Sequence, residues 1–102
     1  MKRNRERILR QAWIGDAVLC VYARSKILRE GGAVDDARAE RMTSNRFLAA
    51  LGEPSEVEAA IGAAFETGGL EAAFAWIEAR IVPLFERQEA NRARRFRVII
   101  DQ

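Results

Sequence analysis

The stretch 12–22 constrains the fold more than any other part of this chain. It reads Ala-Trp-Ile-Gly-Asp-Ala-Val-Leu-Cys-Val-Tyr, almost wholly apolar apart from Gly15 and Asp16. It falls well short of the ~20 apolar residues needed to cross a bilayer. It also lacks the clean alternation of a half-buried strand. A helix this apolar is expected to be buried on several faces. Two residues inside it are then costly. Glycine in a helix interior is about 1 kcal/mol worse than alanine, and is usually kept where another backbone or a ligand comes close. A carboxylate among buried residues needs an ion pair, hydrogen bonds or a metal. For Asp16 the ordinary partners are Arg24, Arg80 or a basic terminus.

The rest of the chain follows the same helical pattern, with Ala, Leu, Glu and Arg dominant. A first helix is predicted over about 4–30, with Ile14, Val18, Val21, Tyr22, Ile27 and Leu28 forming a buried stripe and Gly31-Gly32 stopping it. A second starts at Asp35 or Asp36, either of which can cap it, and runs to Leu51, with Gly52 and Pro54 ending it. A third covers 55–67 and stops at Gly68-Gly69. A fourth covers 70–82, with Phe74, Ile77 and Ile81 on one side. Pro83 opens a fifth, which carries Phe85 and a basic segment. Val98, Ile99 and Ile100 are expected to pack on the core or on a partner. At 102 residues this is one all-α domain, 1–102, of about five helices joined by short loops, so neighbouring helices pack antiparallel or steeply crossed.

Composition removes several kinds of chemistry. There is no histidine, which excludes Ser-His-Asp and Cys-His catalysis and imidazole zinc sites. A single cysteine, Cys20, makes no internal disulfide and points to a reducing compartment. No secretory leader or membrane span is expected, so a cytoplasmic location is. Chemistry is left to carboxylates, with a hard metal as the natural helper.

The net charge of +2 hides a partition. Residues 1–10 carry five basic residues against one acidic, and residues 87–102 five against two; the middle has seven against twelve. Basic ends around an acidic body suit phosphate contacts at the periphery and cation affinity in the centre, although basic ends also simply solubilise a chain.

Three segments, in order, resemble the catalytic domain of ribonuclease III. The first is Trp13-Ile14-Gly15-Asp16-Ala17-Val18-Leu19. The second is Thr43-Ser44-Asn45-Arg46-Phe47-Leu48-Ala49. The third runs from Val57-Glu58-Ala59-Ala60-Ile61-Gly62-Ala63 through Gly68-Gly69-Leu70-Glu71-Ala72-Ala73. The resemblance covers roughly residues 7–85. It implies a ribonuclease III-like endonuclease domain, a homodimer that cuts double-stranded or structured RNA with Mg²⁺ (Mn²⁺ substituting), as in the maturation of ribosomal RNA precursors. Asp16 and Glu58 fall on two of the family's four acids and are the expected catalytic and metal-binding residues. Ala12 and Ser55 stand where the other two would be. The compact Mini-ribonuclease III type also lacks those two acids and has no separate RNA-binding domain. Arg24 with Ile27-Leu28 looks like its continuation of the first helix, whereas Cys20 replaces a glutamate common there, and the segment between Leu51 and Glu58 is shorter than usual. The missing acids leave a second reading, an inactive RNA-binding and dimerisation module.

The resemblance also places Trp13 and Gly15 in a dimer interface, with Trp13 plugging the partner subunit; a lone core tryptophan is the alternative. Lys2, Arg3, Arg5, Arg92, Arg94 and Arg95 are the expected RNA contacts, reaching phosphates and 2′-hydroxyls by shape rather than sequence. Glu58 has another reading, because Ser55-Glu56-Val57-Glu58 fits a helix capping box. Thr43, Ser44 and Asn45 either orient a metal-bound water or bond back to the helix backbone.

Overall fold

A computed structural model describes residues 2–101, with side chains for 4–100. Among these residues the protein is all-helical: α1 (Lys2–Gly31), α2 (Asp36–Thr43), α3 (Asn45–Leu48), α4 (Pro54–Arg80) and α5 (Val82–Asp101). No helix among the described residues is long and apolar enough to cross a membrane.

Most boundaries have a local cause. Gly32, at φ +72°, takes the chain out of α1, and its N–H donates to the Leu28 carbonyl at 3.0 Å. Asp35, rather than Asp36, caps α2 by accepting from the Arg38 N–H at 3.0 Å. The expected single helix from 35 to 51 is split. Ser44 leaves the helical region at φ −70°, ψ 153°, and its hydroxyl caps α3 by accepting from the Phe47 N–H. Thr43 Oγ1 bonds back to the Ala39 carbonyl at 3.0 Å, the second of the two roles the sequence offered it. Glu53 caps α4, accepting from the Glu56 N–H at 2.9 Å, with Pro54 in the first turn. Gly68 (φ −140°) and Gly69 (φ +69°) interrupt α4 where the third helix was expected to stop, so two rods meet there.

The core is the seam between α1 and α4, closed at one end by α2, α3 and the start of α5. Leu19, Met42, Leu48, Ile61, Ile77, Ile81 and Phe85 are fully buried. Tyr22 meets Phe74 edge to face at 5.1 Å, and Phe47 meets Phe85 the same way at 6.0 Å. Lys26 is buried and bridges α1 to α5 through Glu86 at 2.7 Å, while also holding Glu30 at 2.6 Å. Burial pulls its ammonium pKa down, but the hydrogen bonds to Glu30 and Glu86 outweigh this and leave it raised. Arg41 grips Glu89 with a two-pronged fork at 2.9 and 3.0 Å, fastening α2 to α5.

The buried stripe of α1 is not the expected one. Val18, Tyr22 and Ile27 are buried together with Ala12, Leu19 and Ala23, but Ile14, Val21 and Leu28 are exposed. Leu9, Trp13, Val21 and Leu28 form an apolar stripe along the outer side of α1, with Trp13 80% exposed. The end of α5 is also uncovered. Residues 91–100 are all exposed, so Val98, Ile99 and Ile100 do not pack on this chain's own core. This projecting helix contributes to dimensions of 55 × 27 × 21 Å and a radius of gyration of 15.1 Å, against ~13 Å for a compact chain of 100 residues.

Candidate functional site

The site begins with two glycines. At Gly15 the backbone of α4 lies directly against α1: a Cβ there would collide with the Glu58 carbonyl oxygen and come within 2.7 Å of its carbon. At Gly62 the relation is reciprocal, with a Cβ colliding with the Gln11 carbonyl oxygen and 2.7 Å from its carbon. Gln11 pairing with Gly62, and Gly15 with Glu58, makes the crossing antiparallel. The Gln11 amide donates to Glu66 one turn further along, at 3.3 Å. Without side chains at the two contact points, the helices approach until backbone meets backbone. The close approach expected of Gly15 is therefore to another helix of the same chain. Gly15 is buried in this crossing within the single chain. Trp13, two residues earlier, is exposed and is not a core tryptophan.

This crossing sets Asp16 beside Glu58. Asp16 follows Gly15 directly, and Gly15 abuts the backbone of Glu58. Asp16 is near enough to Glu58 to act on its carboxyl. Partial burial pushes the Glu58 carboxyl pKa up to about 7, aided by a hydrogen bond with Asp16 and by the charges of Asp16 and Glu53. Asp16 is exposed at the margin of the crossing, not enclosed as the apolar run suggested. No ion pair to Arg24, Arg80 or any other described cation accounts for it.

The capping-box reading of Glu58 does not hold. The cap is Glu53, and Ser55 lies inside the first turn, so Glu58 is more than a turn into α4 and has no cap N–H to reach.

The surroundings define what the pair can do. Cys20 lies one turn beyond Asp16. Burial raises its thiol pKa, Asp16 and Glu58 add to the rise, and Arg24 opposes it. A thiol held protonated in this way is no nucleophile at neutral pH. Ala12 is buried in the seam and Ser55 is half-buried, so neither position supplies a carboxylate in place of the missing acids. Among the described residues, no three Asp, Glu, Cys or His side chains cluster as a metal cage. The donor set is thus two carboxylates, without a neutralising cation among the described residues. Such a set fits a hard divalent ion that keeps most of its waters, and does not fit a dehydrated ion held wholly by protein.

The basic residues are elsewhere. Arg5, Arg92, Arg94 and Arg95 are exposed, while the side chains of Lys2 and Arg3 lie outside the described residues. Among the described residues, two of the clefts open to solvent contain neither Asp16 nor Glu58. One of about 290 Å³ lies beside Arg7, Arg10 and Glu66. The other, about 900 Å³, lies between α3 and α5, where Arg92 and Arg95 join Arg41 and Arg46. The sequence reading gave no role to Gly62 or Arg46. Gly62 carried a signal: it is a second mid-helix glycine, four residues after Glu58.

Comparison with known proteins finds no family model, curated protein or solved structure that matches this chain.

Proposed function

We propose that Asp16 and Glu58 together hold one divalent cation, Mg²⁺ or Mn²⁺, and that the chain is an endoribonuclease acting on double-stranded or structured RNA as a homodimer. The observation that carries this reading is the carboxyl pair, set at the α1–α4 crossing with no described ion pair to a basic side chain to explain it. The ordered likeness of three segments to the ribonuclease III catalytic domain supplies the reaction class and the expectation of a ribonuclease III-like fold. The exposed stripe of Leu9, Trp13, Val21 and Leu28 supports pairing of two copies through α1, since a lone chain leaves these residues in water. Arginines on the exposed terminal segments supply phosphate contacts.

In this mechanism Asp16 and Glu58 act as cation ligands on a pre-formed crossing. A bound divalent ion supplies neutralisation of phosphate charge and acidification of water. Glu58, with its pKa pushed up to about 7, partly holds its proton near neutrality, so cation binding there would compete with that proton and strengthen as pH rises. Both glycines fix the approach of the two helices that carry these residues.

A second reading is favoured by a specific observation: with Ala12 buried and no third acid in the cluster, the same dimer could bind RNA without cutting it. One assay separates the two. Duplex RNA is incubated with Mg²⁺ or Mn²⁺ and the wild type, Asp16→Asn or Glu58→Gln, and both strand integrity and complex formation are followed. Cleavage lost in both variants with RNA binding retained supports the nuclease. Binding by the wild type without cleavage at any concentration of either ion assigns the inactive module.

A further inference from the structure

The groove between α3 and α5 has a character unlike the carboxylate site. It encloses about 900 Å³, and Arg41, Arg46, Arg92 and Arg95 stand around Phe96 and Ile99. Arg41 is already committed to Glu89. Among the described residues, no carboxylate pairs with Arg46, Arg92 or Arg95. Phe96 is 64% exposed, although it lies on the face of α5 that buries Phe85 three turns earlier. The core-facing side of the helix therefore runs out past the body of the protein. Where it does so, it becomes an aromatic ring flanked by guanidinium groups.

We infer that this groove binds unpaired nucleotides, with a base stacked on Phe96 and the adjoining phosphates on Arg46, Arg92 and Arg95. Charge selects the class of partner. Three uncompensated arginines call for an anion, and they oppose docking of a second copy of the same basic helix end. The exposed ring selects within that class. A duplex hides its base faces in the stack and offers only phosphates and groove edges, whereas an unpaired nucleotide offers both a phosphate and a flat face. Aromatic stacking beside a basic groove tolerates any sequence, because every base has such a face. The inference does not depend on the carboxylate pair cutting RNA, since the groove contains neither Asp16 nor Glu58.

The test is fluorescence anisotropy of a labelled oligouridylate of twelve nucleotides with the full chain in EDTA, so that cation loading and cleavage play no part. Three phosphate contacts give a slope of about −2 in log affinity against log salt, or roughly a twenty-fold loss between 50 and 200 mM. Phe96→Ala should weaken binding roughly 5- to 100-fold, and Phe96→Trp should preserve it. Phe96→Leu should behave like the alanine variant, because it keeps apolar bulk but has no face to stack. The Arg92→Gln/Arg95→Gln double variant should flatten the salt slope by about two thirds. Circular dichroism of each variant checks that the helices are intact, which the exposure of all three positions favours. The inference is overturned if the oligonucleotide fails to bind or if Phe96→Leu restores wild-type affinity. A blunt duplex whose affinity Phe96→Leu lowers as much as it lowers that of the single strand, or an acidic helical peptide that displaces the oligonucleotide more strongly, overturns it as well.

Discussion

Replacing Glu58 by glutamine should stabilise the cation-free protein at alkaline pH and leave it nearly unchanged at acid pH. The carboxyl titrates near 4.5 when free and is pushed up to about 7 in the fold. A raised carboxyl holds its proton more tightly when folded, so the stabilisation is complete below pH 4.5 and is lost as pH climbs through about 7. Fully counted, that shift amounts to roughly 3 kcal/mol at 1.36 kcal/mol per unit. Glu58 is only half-buried, and solvent screening reduces this to about 1–2 kcal/mol. For a domain of this size, 1 kcal/mol moves the melting temperature by about 4–8 °C. Wild-type and Glu58→Gln proteins are melted by circular dichroism in EDTA between pH 5 and 8.5. Their melting temperatures should coincide near pH 5 and diverge by roughly 5–10 °C at pH 8.5, the glutamine variant being higher. Adding Mg²⁺ or Mn²⁺ at pH 8.5 should raise only the wild type, by about 2.7 kcal/mol at a hundred times the dissociation constant. Parallel curves across the whole pH range would refute the claim that Asp16 and Glu58 crowd one another. Equal gains from the cation in both proteins would refute the claim that Glu58 is a ligand.

Gly15→Ala should cost about 3 kcal/mol or more, because its methyl group meets the Glu58 backbone rather than a movable side chain; urea unfolding measures this, and a loss under 1 kcal/mol contradicts the backbone contact. Lys26→Met should cost about 1–3 kcal/mol by the same measurement: the buried bridge to α5 is lost, but Glu30 and Glu86 are half-exposed and recover water. If two copies pair through α1 as proposed, Trp13→Arg should shift dimer to monomer in light scattering while leaving the helical content unchanged, since 80% of the residue is exposed in the single chain; a dimer that persists at the same concentration places the interface elsewhere.

Much of the secondary structure was written in local chemistry. Gly31-Gly32, Asp35, Gly52, Pro54 and Gly68-Gly69 punctuate the helices within a residue or two of where they act, because turns and caps depend on near neighbours. Ser44 was harder to read. Thr43-Ser44-Asn45 sits inside a helical pattern, and nothing in its spacing says that the serine will cap a new turn instead of continuing the old one. The sidedness of α1 was harder again. Val21 and Leu28, seven residues apart, are apolar and at helical spacing just as Val18 and Tyr22, four apart, are, and only tertiary packing decides which are left in water.

The candidate site divides along the same line. From the sequence came an acid in an apolar helix, an interior glycine beside it and a second acid further along the chain, together with the all-α class. Those are properties of residues and their immediate neighbours. Whether Asp16 and Glu58 would meet depended on the register of the antiparallel crossing, and Glu58 had a local alternative in a capping box. Tertiary structure decided both points, through the fit of Gly15 against Glu58 and Gly62 against Gln11, and through the cap falling on Glu53. Register is a long-range quantity: it follows from where two helices can touch without side chains between them, and no single segment contains that information.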